Sequence, residues 1–173
     1  EVLTRLQKKT LRKCITQSLN LIIIFHQQQG SQQLKTLDYM NIGLIAHDAK
    51  KELMVQFCIA YCGILARHTL CATGTTGKQV SEATGLKIQR YLSGSQGGDQ
   101  QIGARISCDE IDVLLFFRDP INRKASEPNE MNLLRLCDVH NVPVATNIAT
   151  AEALIMALER GDLDWRKIGH PTV

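Results

Sequence analysis

From residue 40 onward, short apolar runs alternate with stretches of helical period, and that alternation restricts the chain to one class of architecture. Residues 42–46, 69–72, 112–117 and 142–145 form the runs, with the length and character of strands buried on both faces of a parallel sheet. Leu86-Lys87-Ile88 adds a short fifth strand. Between them, residues 49–66 place Leu53, Phe57, Ala60 and Ile64 on one helical face, and Thr84-Gly85 ends a helix. Pro128 opens a helix that runs through Leu133, Leu134 and Leu136, and Ala149 to Leu158 forms another. Strands interleaved with helices make an α/β fold: a single doubly wound, five-stranded parallel sheet with helices on both faces and right-handed crossovers. Ligands in such sheets bind outside the carboxyl ends of the strands, so the residues just after each strand are the ones to read for chemistry.

Charge argues against a polyanionic partner. The 173 residues carry a formal +3. Residues 1–39 hold six Lys or Arg (Arg5, Lys8, Lys9, Arg12, Lys13, Lys35) against Glu1 and Asp38, a balance of +4. Residues 40–173, with fourteen bases and fifteen acids, stand at −1, so the part that folds has no excess of positive charge to offer nucleic acid. The first segment also differs in composition, with seven Gln and the apolar run Leu21 to Phe25, which is far shorter than a membrane span of about 20 residues. We therefore expect residues 1–39 to be a disordered or non-native extension, with Met40 as the natural start of a domain over 40–173. No membrane association is expected.

The six cysteines (Cys14, Cys58, Cys62, Cys71, Cys108, Cys137) show neither the density nor the spacing of a disulfide framework, which points to reduced thiols in a cytoplasmic protein. Cys58 and Cys62 lie four apart with His68 nearby, but a second ligand pair is lacking, so no metal is expected.

Two glycine-rich loops follow strands. Thr73-Gly74-Thr75-Thr76-Gly77 lies between a strand and a helix, where hydroxyls, close backbone approach and free helix N–H groups suit an anion the size of phosphate. It is not a Walker A loop, because Ala72 stands where the first glycine is needed and Gln79 where Ser or Thr is needed. Lys51, one turn into the preceding helix, can bring an ammonium to the same crevice. The second loop, Ser93 to Asp99, contains three glycines and ends in an acid just as a helix begins. A carboxylate there is most often a helix cap. Facing a phosphate site, it would also suit abstraction of a proton next to a carbonyl, with a backbone N–H and His47 holding the enolate oxygen.

Gly43 to Asp48 with Lys51, Ala72 to Gly77, Leu92 to Gly103 with its Gly97-Gly98-Asp99-Gln100-Gln101 block, Phe116 to Pro120 and Pro143 to Asn147 together closely resemble the methylglyoxal synthase family, in order and at family spacing over residues 40–168. The resemblance implies a lyase that converts dihydroxyacetone phosphate to methylglyoxal and inorganic phosphate, a glycolytic bypass, with no metal or organic cofactor. It implies that Lys51, Thr73, Gly74, Thr75, Thr76 and Ser93 hold the phosphate, that Asp99 is the base, and that His47 and the Gly94 N–H lie near the substrate oxygens. Asp48 and Asp119 match family acids of the crevice. A homohexamer is implied as well, with an arginine donated across subunits, for which Arg166 is the candidate.

One departure stands out. Where the family carries Pro-His-(Asp/Glu)-Pro-Asp, this chain reads Ala125-Ser126-Glu127-Pro128-Asn129. Ser126 takes the histidine place, and a serine donates a hydrogen bond but carries no titrating proton near neutral pH. Binding should therefore survive better than turnover, and a phosphate- or sugar-phosphate-binding regulatory domain is the alternative reading.

Overall fold

The computed structural model describes residues 39–122 and 130–166. The described residues up to Arg160 belong to one compact unit and residues 161–166 to a second. In the first unit, five strands, β1 (Asn41–Ala46), β2 (Thr69–Ala72), β3 (Ile88–Arg90), β4 (Val113–Phe117) and β5 (Val144–Ala145), form one sheet in the order β3-β2-β1-β4-β5. Every neighbouring pair is parallel. The helices are α1 (Lys51–Ala60), α2 (Cys62–Leu65), α3 (Gly74–Thr84), α4 (Gly98–Ser107), α5 (Glu130–Val139) and α6 (Ile148–Arg160), with single 3-10 turns at Asp48–Lys50 and Gly94–Gln96. The expected doubly wound α/β sheet is the observed fold.

Alternation along β4 explains why both faces are covered. Leu114 and Phe116 join Ile45, Cys71, Ile102, Ile106, Leu133 and Cys137 in one buried cluster, which packs α4 and α5 against the sheet. Phe117 points the other way and meets Phe57 of α1 edge to face, with ring centroids 5.7 Å apart. The strand is buried on both sides, as its unbroken apolar sequence requires.

Two local expectations shift. The first helix buries Met54, Val55, Phe57 and Cys58, whereas Leu53 and Ala60 are exposed. The segment is apolar around most of its circumference, so its periodicity allows more than one inward face. Tyr61 then leaves helical geometry (φ −108°, ψ 21°) and separates α1 from α2. The third strand begins at Ile88 rather than Leu86. Leu86 is tied to the end of α3, its N–H donating to Thr84 Oγ1 (3.2 Å) and its carbonyl accepting from Ser81 Oγ (3.0 Å). Ladder pairing starts only once the chain is clear of that cap, at Leu70 opposite Ile88. The helix expected from Pro128 is described from Glu130; residues 123–129, including Ser126 and Asn129, lie outside the described residues, as do residues 1–38.

No described helix is long and apolar enough to cross a membrane. Among the described residues, no three His, Cys, Asp or Glu side chains gather so as to hold a metal ion. Burial, chiefly, pushes the Cys58 thiol up to about 12. The His68 Nδ1 accepts from the Met40 N–H (3.2 Å), fastening the entry to β1.

Candidate active site

The strand order places the switch point at β1, whose neighbours β2 and β4 leave it in opposite directions along the sheet. Such a point opens a crevice at the carboxyl ends. Three loops meet there through backbone bonds. The Thr73 N–H donates to Leu44 O (3.3 Å), the His47 N–H to Phe117 O (3.0 Å) and the Gly74 N–H to Leu92 O (2.9 Å).

The phosphate-type loop forms as its residues require. Thr73 stands just before α3 in extended geometry (φ −63°, ψ 145°), and its side chain caps no helix N–H. Its hydroxyl instead donates to Thr76 Oγ1 (3.2 Å), both residues being buried. The N–H groups of Thr75 and Thr76, at the second and third helical positions, have no carbonyl of their own helix to bond. With the helix dipole behind them, they are chemically suited to an anion, and the Thr75 side chain is exposed beside them. The Gly74 N–H is already committed to Leu92. What Gly74 contributes is the absence of a side chain: a Cβ there would lie 2.8 Å from Tyr91 O and 3.3 Å from Ser93 N.

The same peptide is gripped from the other side. A Cβ on Gly98 would collide with the Leu92 carbonyl oxygen, so the two loops can touch only through these glycines. Gly97 takes φ +90°, open at low cost only to glycine, and turns the chain into α4. The Ser93 hydroxyl donates to Gln96 Oε1 (2.9 Å) and lies 3.1 Å from Ser95 Oγ, while Gly94 begins the 3-10 turn. Gln101 Oε1 accepts from the Leu92 N–H (2.9 Å). Asp99 therefore stands inside the first turn of α4, buried at 7% exposure.

On the β1 side, Lys51 Nζ donates to Asp48 Oδ1 at 2.7 Å; the acid is half exposed and the lysine mostly covered. His47 is fully buried, edge-on to Phe116 at 5.3 Å between centroids. Its Nδ1 accepts from the Asp119 N–H at 3.0 Å. A nitrogen that accepts is unprotonated, so the ring proton sits on Nε2. Asp119 in turn accepts from the backbone N–H groups of Ile121 (3.0 Å) and Asn122 (3.3 Å), with the Ile121 bond the stronger influence, and both hold its carboxyl below the usual range.

Two residues here receive no role in the sequence reading. Glu130 Oε2 accepts from Arg118 Nη1 at 3.0 Å, and its Oε1 lies 3.7 Å from Nε2 of His47. Their separation of twelve residues, with part of a loop between, hides the pairing; the one available signal was the position of Arg118 directly after a strand. Arg118 also borders a cavity of about 310 Å³ with Lys50, Leu53 and Asn147, on the β4–β5 side and away from the threonine loop. Arg166 belongs to the other unit, its guanidinium 5.8 Å over the Trp165 ring. Ser126 lies outside the described residues.

Comparison with known proteins matches residues 54–146 to the MGS-like domain. Similar proteins include the methylglyoxal synthase of Caldicellulosiruptor saccharolyticus, 64% identical over 132 residues that make up 76% of this chain and 94% of that one. That of Oceanobacillus iheyensis is 58% identical, covering 75% and 92% respectively. Among solved structures, the methylglyoxal synthase of Elizabethkingia anophelis superposes with a TM-score of 0.66 at 40% identity, over 68% of this chain and 77% of that one.

Proposed function

The chain belongs to the methylglyoxal synthase family, and from that premise we propose that it is a carbon–oxygen lyase acting on dihydroxyacetone phosphate. It releases methylglyoxal and inorganic phosphate with no metal or organic cofactor. The observation that carries the reading is the junction at Leu92, where Gly74 and Gly98 close on one peptide. It supports a phosphate cradle and a buried acid held in fixed relation.

In this reading Thr73, Thr75 and Thr76, with Lys51 and Ser93, hold the phosphate, and Gly74 lets the two loops close beside it. Asp99 takes a proton from the hydroxymethyl carbon. The electron pair of that C–H bond becomes the double bond of an enediolate, whose oxygen accepts from Nε2–H of His47 and the Gly94 N–H. The enediolate pair then expels phosphate by breaking the bridging C–O bond, and the enol left behind rearranges to methylglyoxal. Elimination needs that C–O bond out of the enediolate plane, so the clamp selects the reaction as well as the substrate. Asp48 keeps Lys51 in place and Asp119 keeps His47 in place. The active species is a homo-oligomer, a hexamer by family likeness, in which Arg166 of a neighbouring copy completes the site, and it works in the cytoplasm.

Ser126 favours a second reading, a phosphate-binding regulatory domain, since the histidine that would shuttle protons is missing. Incubation with dihydroxyacetone phosphate separates the two. Methylglyoxal formation is expected; phosphate binding without product would establish the regulatory domain instead.

A further inference from the structure

Glu130 opens α5 with most of its side chain covered, at 13% exposure, and its two oxygens serve different partners. One accepts from Arg118 Nη1 at 3.0 Å, while the other lies 3.7 Å from Nε2 of His47. The opposite ring nitrogen of His47 is fixed by the Asp119 N–H at 3.0 Å. The imidazole is thus gripped at both ends, by a donor at Nδ1 and a carboxylate facing Nε2.

We propose that Glu130, moored by Arg118, is a positioning residue that aims the Nε2–H of His47. The inference rests on the reading of His47 as the donor to a substrate oxygen. At 3.7 Å the carboxylate is too distant to capture that proton in a hydrogen bond, yet near enough to attract it. The carboxylate therefore orients the donor without holding it in a bond. Arg118 prevents Glu130 from closing the gap, because moving toward the ring would lengthen a charge-assisted bond. Among the described residues, Glu130, Arg118 and Asp119 are charged groups with contacts around the ring, one from α5 and two just past the end of β4.

The test pairs Glu130→Gln with Glu130→Asp in the full chain. The Gln side chain keeps the shape and can still accept from Arg118, but it turns an amide N–H₂ toward the Nε2–H, setting donor against donor. NMR of the ring nitrogens is expected to show His47 as the Nε2–H tautomer in both proteins, held by the Asp119 N–H, with the Nε2 signal shifted in Glu130→Gln. In the same variant kcat falls about tenfold while KM stays within about twofold, since positioning partners around a functional histidine are typically worth about 10–100-fold. Glu130→Asp, which keeps the charge, recovers part of both. A ring signal unmoved by Glu130→Gln overturns the proposal, as does a moved signal with kcat within about twofold of the parent. If the parent makes no methylglyoxal, the functional reading fails by itself and the ring signal alone decides the role of Glu130.

Discussion

The backbone N–H of Asp119 donates to Nδ1 of His47 at 3.0 Å, joining two residues 72 positions apart at the ends of adjacent parallel strands. The bond links fold to chemistry, since the β1–β4 register delivers the donor and the donor leaves the ring proton on Nε2. Replacing His47 by Phe removes the acceptor and leaves a buried N–H without one. A loss of about 1–3 kcal/mol in stability is expected from urea unfolding, in addition to the loss of turnover. A variant as stable as the parent would show that the bond carries no weight.

The glycines at the loop junction should not tolerate a methyl group. Gly74→Ala sets a Cβ 2.8 Å from Tyr91 O, and Gly98→Ala meets the Leu92 carbonyl oxygen, in both cases rigid backbone. Destabilisation of about 1–3 kcal/mol is expected, with Gly98→Ala the worse of the two. Gly63→Ala is the control, because nothing lies within 4 Å of its Cβ position, and it should be neutral or stabilising by up to about 1 kcal/mol. Equal denaturant midpoints for all three would refute the close contact.

Acid should weaken the fold partly through Asp119. Its carboxyl is held below the ordinary value, first by the Ile121 N–H and then by that of Asn122, so the charged form is favoured in the folded state. The resulting stability is complete above the ordinary Asp value of about 3.9 and is lost as pH falls from there through the lower folded value. Comparing Asp119→Ala with the parent by urea unfolding between about pH 6 and 3 should show the parent's advantage shrinking at the acid end. A gap that stays constant with pH would exclude this linkage.

Restoring the family histidine should restore a proton carrier. Ser126→His is expected to raise kcat about tenfold or more, because general acid–base groups contribute about 10²–10⁴-fold. No gain over the parent would mean that Ser126 is not the deficit.

Much of this architecture was legible in the sequence, because apolar runs buried on both faces leave few alternatives. What stayed hidden depended on contacts between distant residues. The inward face of α1 is set by which side chains meet Phe117, and Met54, Val55 and Cys58 compete with Leu53 on apolar character alone. The start of β3 is delayed by two hydrogen bonds that tie Leu86 to α3. At the site, the loops announce themselves through glycine and threonine, which have a local reason to be there. Glu130 and Arg118 carry no such signature. Each alone resembles a surface charge, and only the fold brings them to His47.

Whether the chain is a phosphate-eliminating lyase with Asp99 as its base is decided by assaying the parent and Asp99→Asn side by side with dihydroxyacetone phosphate and following methylglyoxal and inorganic phosphate together. The parent should release both products equally and Asp99→Asn should be about 10²–10⁴-fold slower, with binding of inorganic phosphate nearly unchanged. Product formation by Asp99→Asn at the parent's rate would contradict Asp99 as the base.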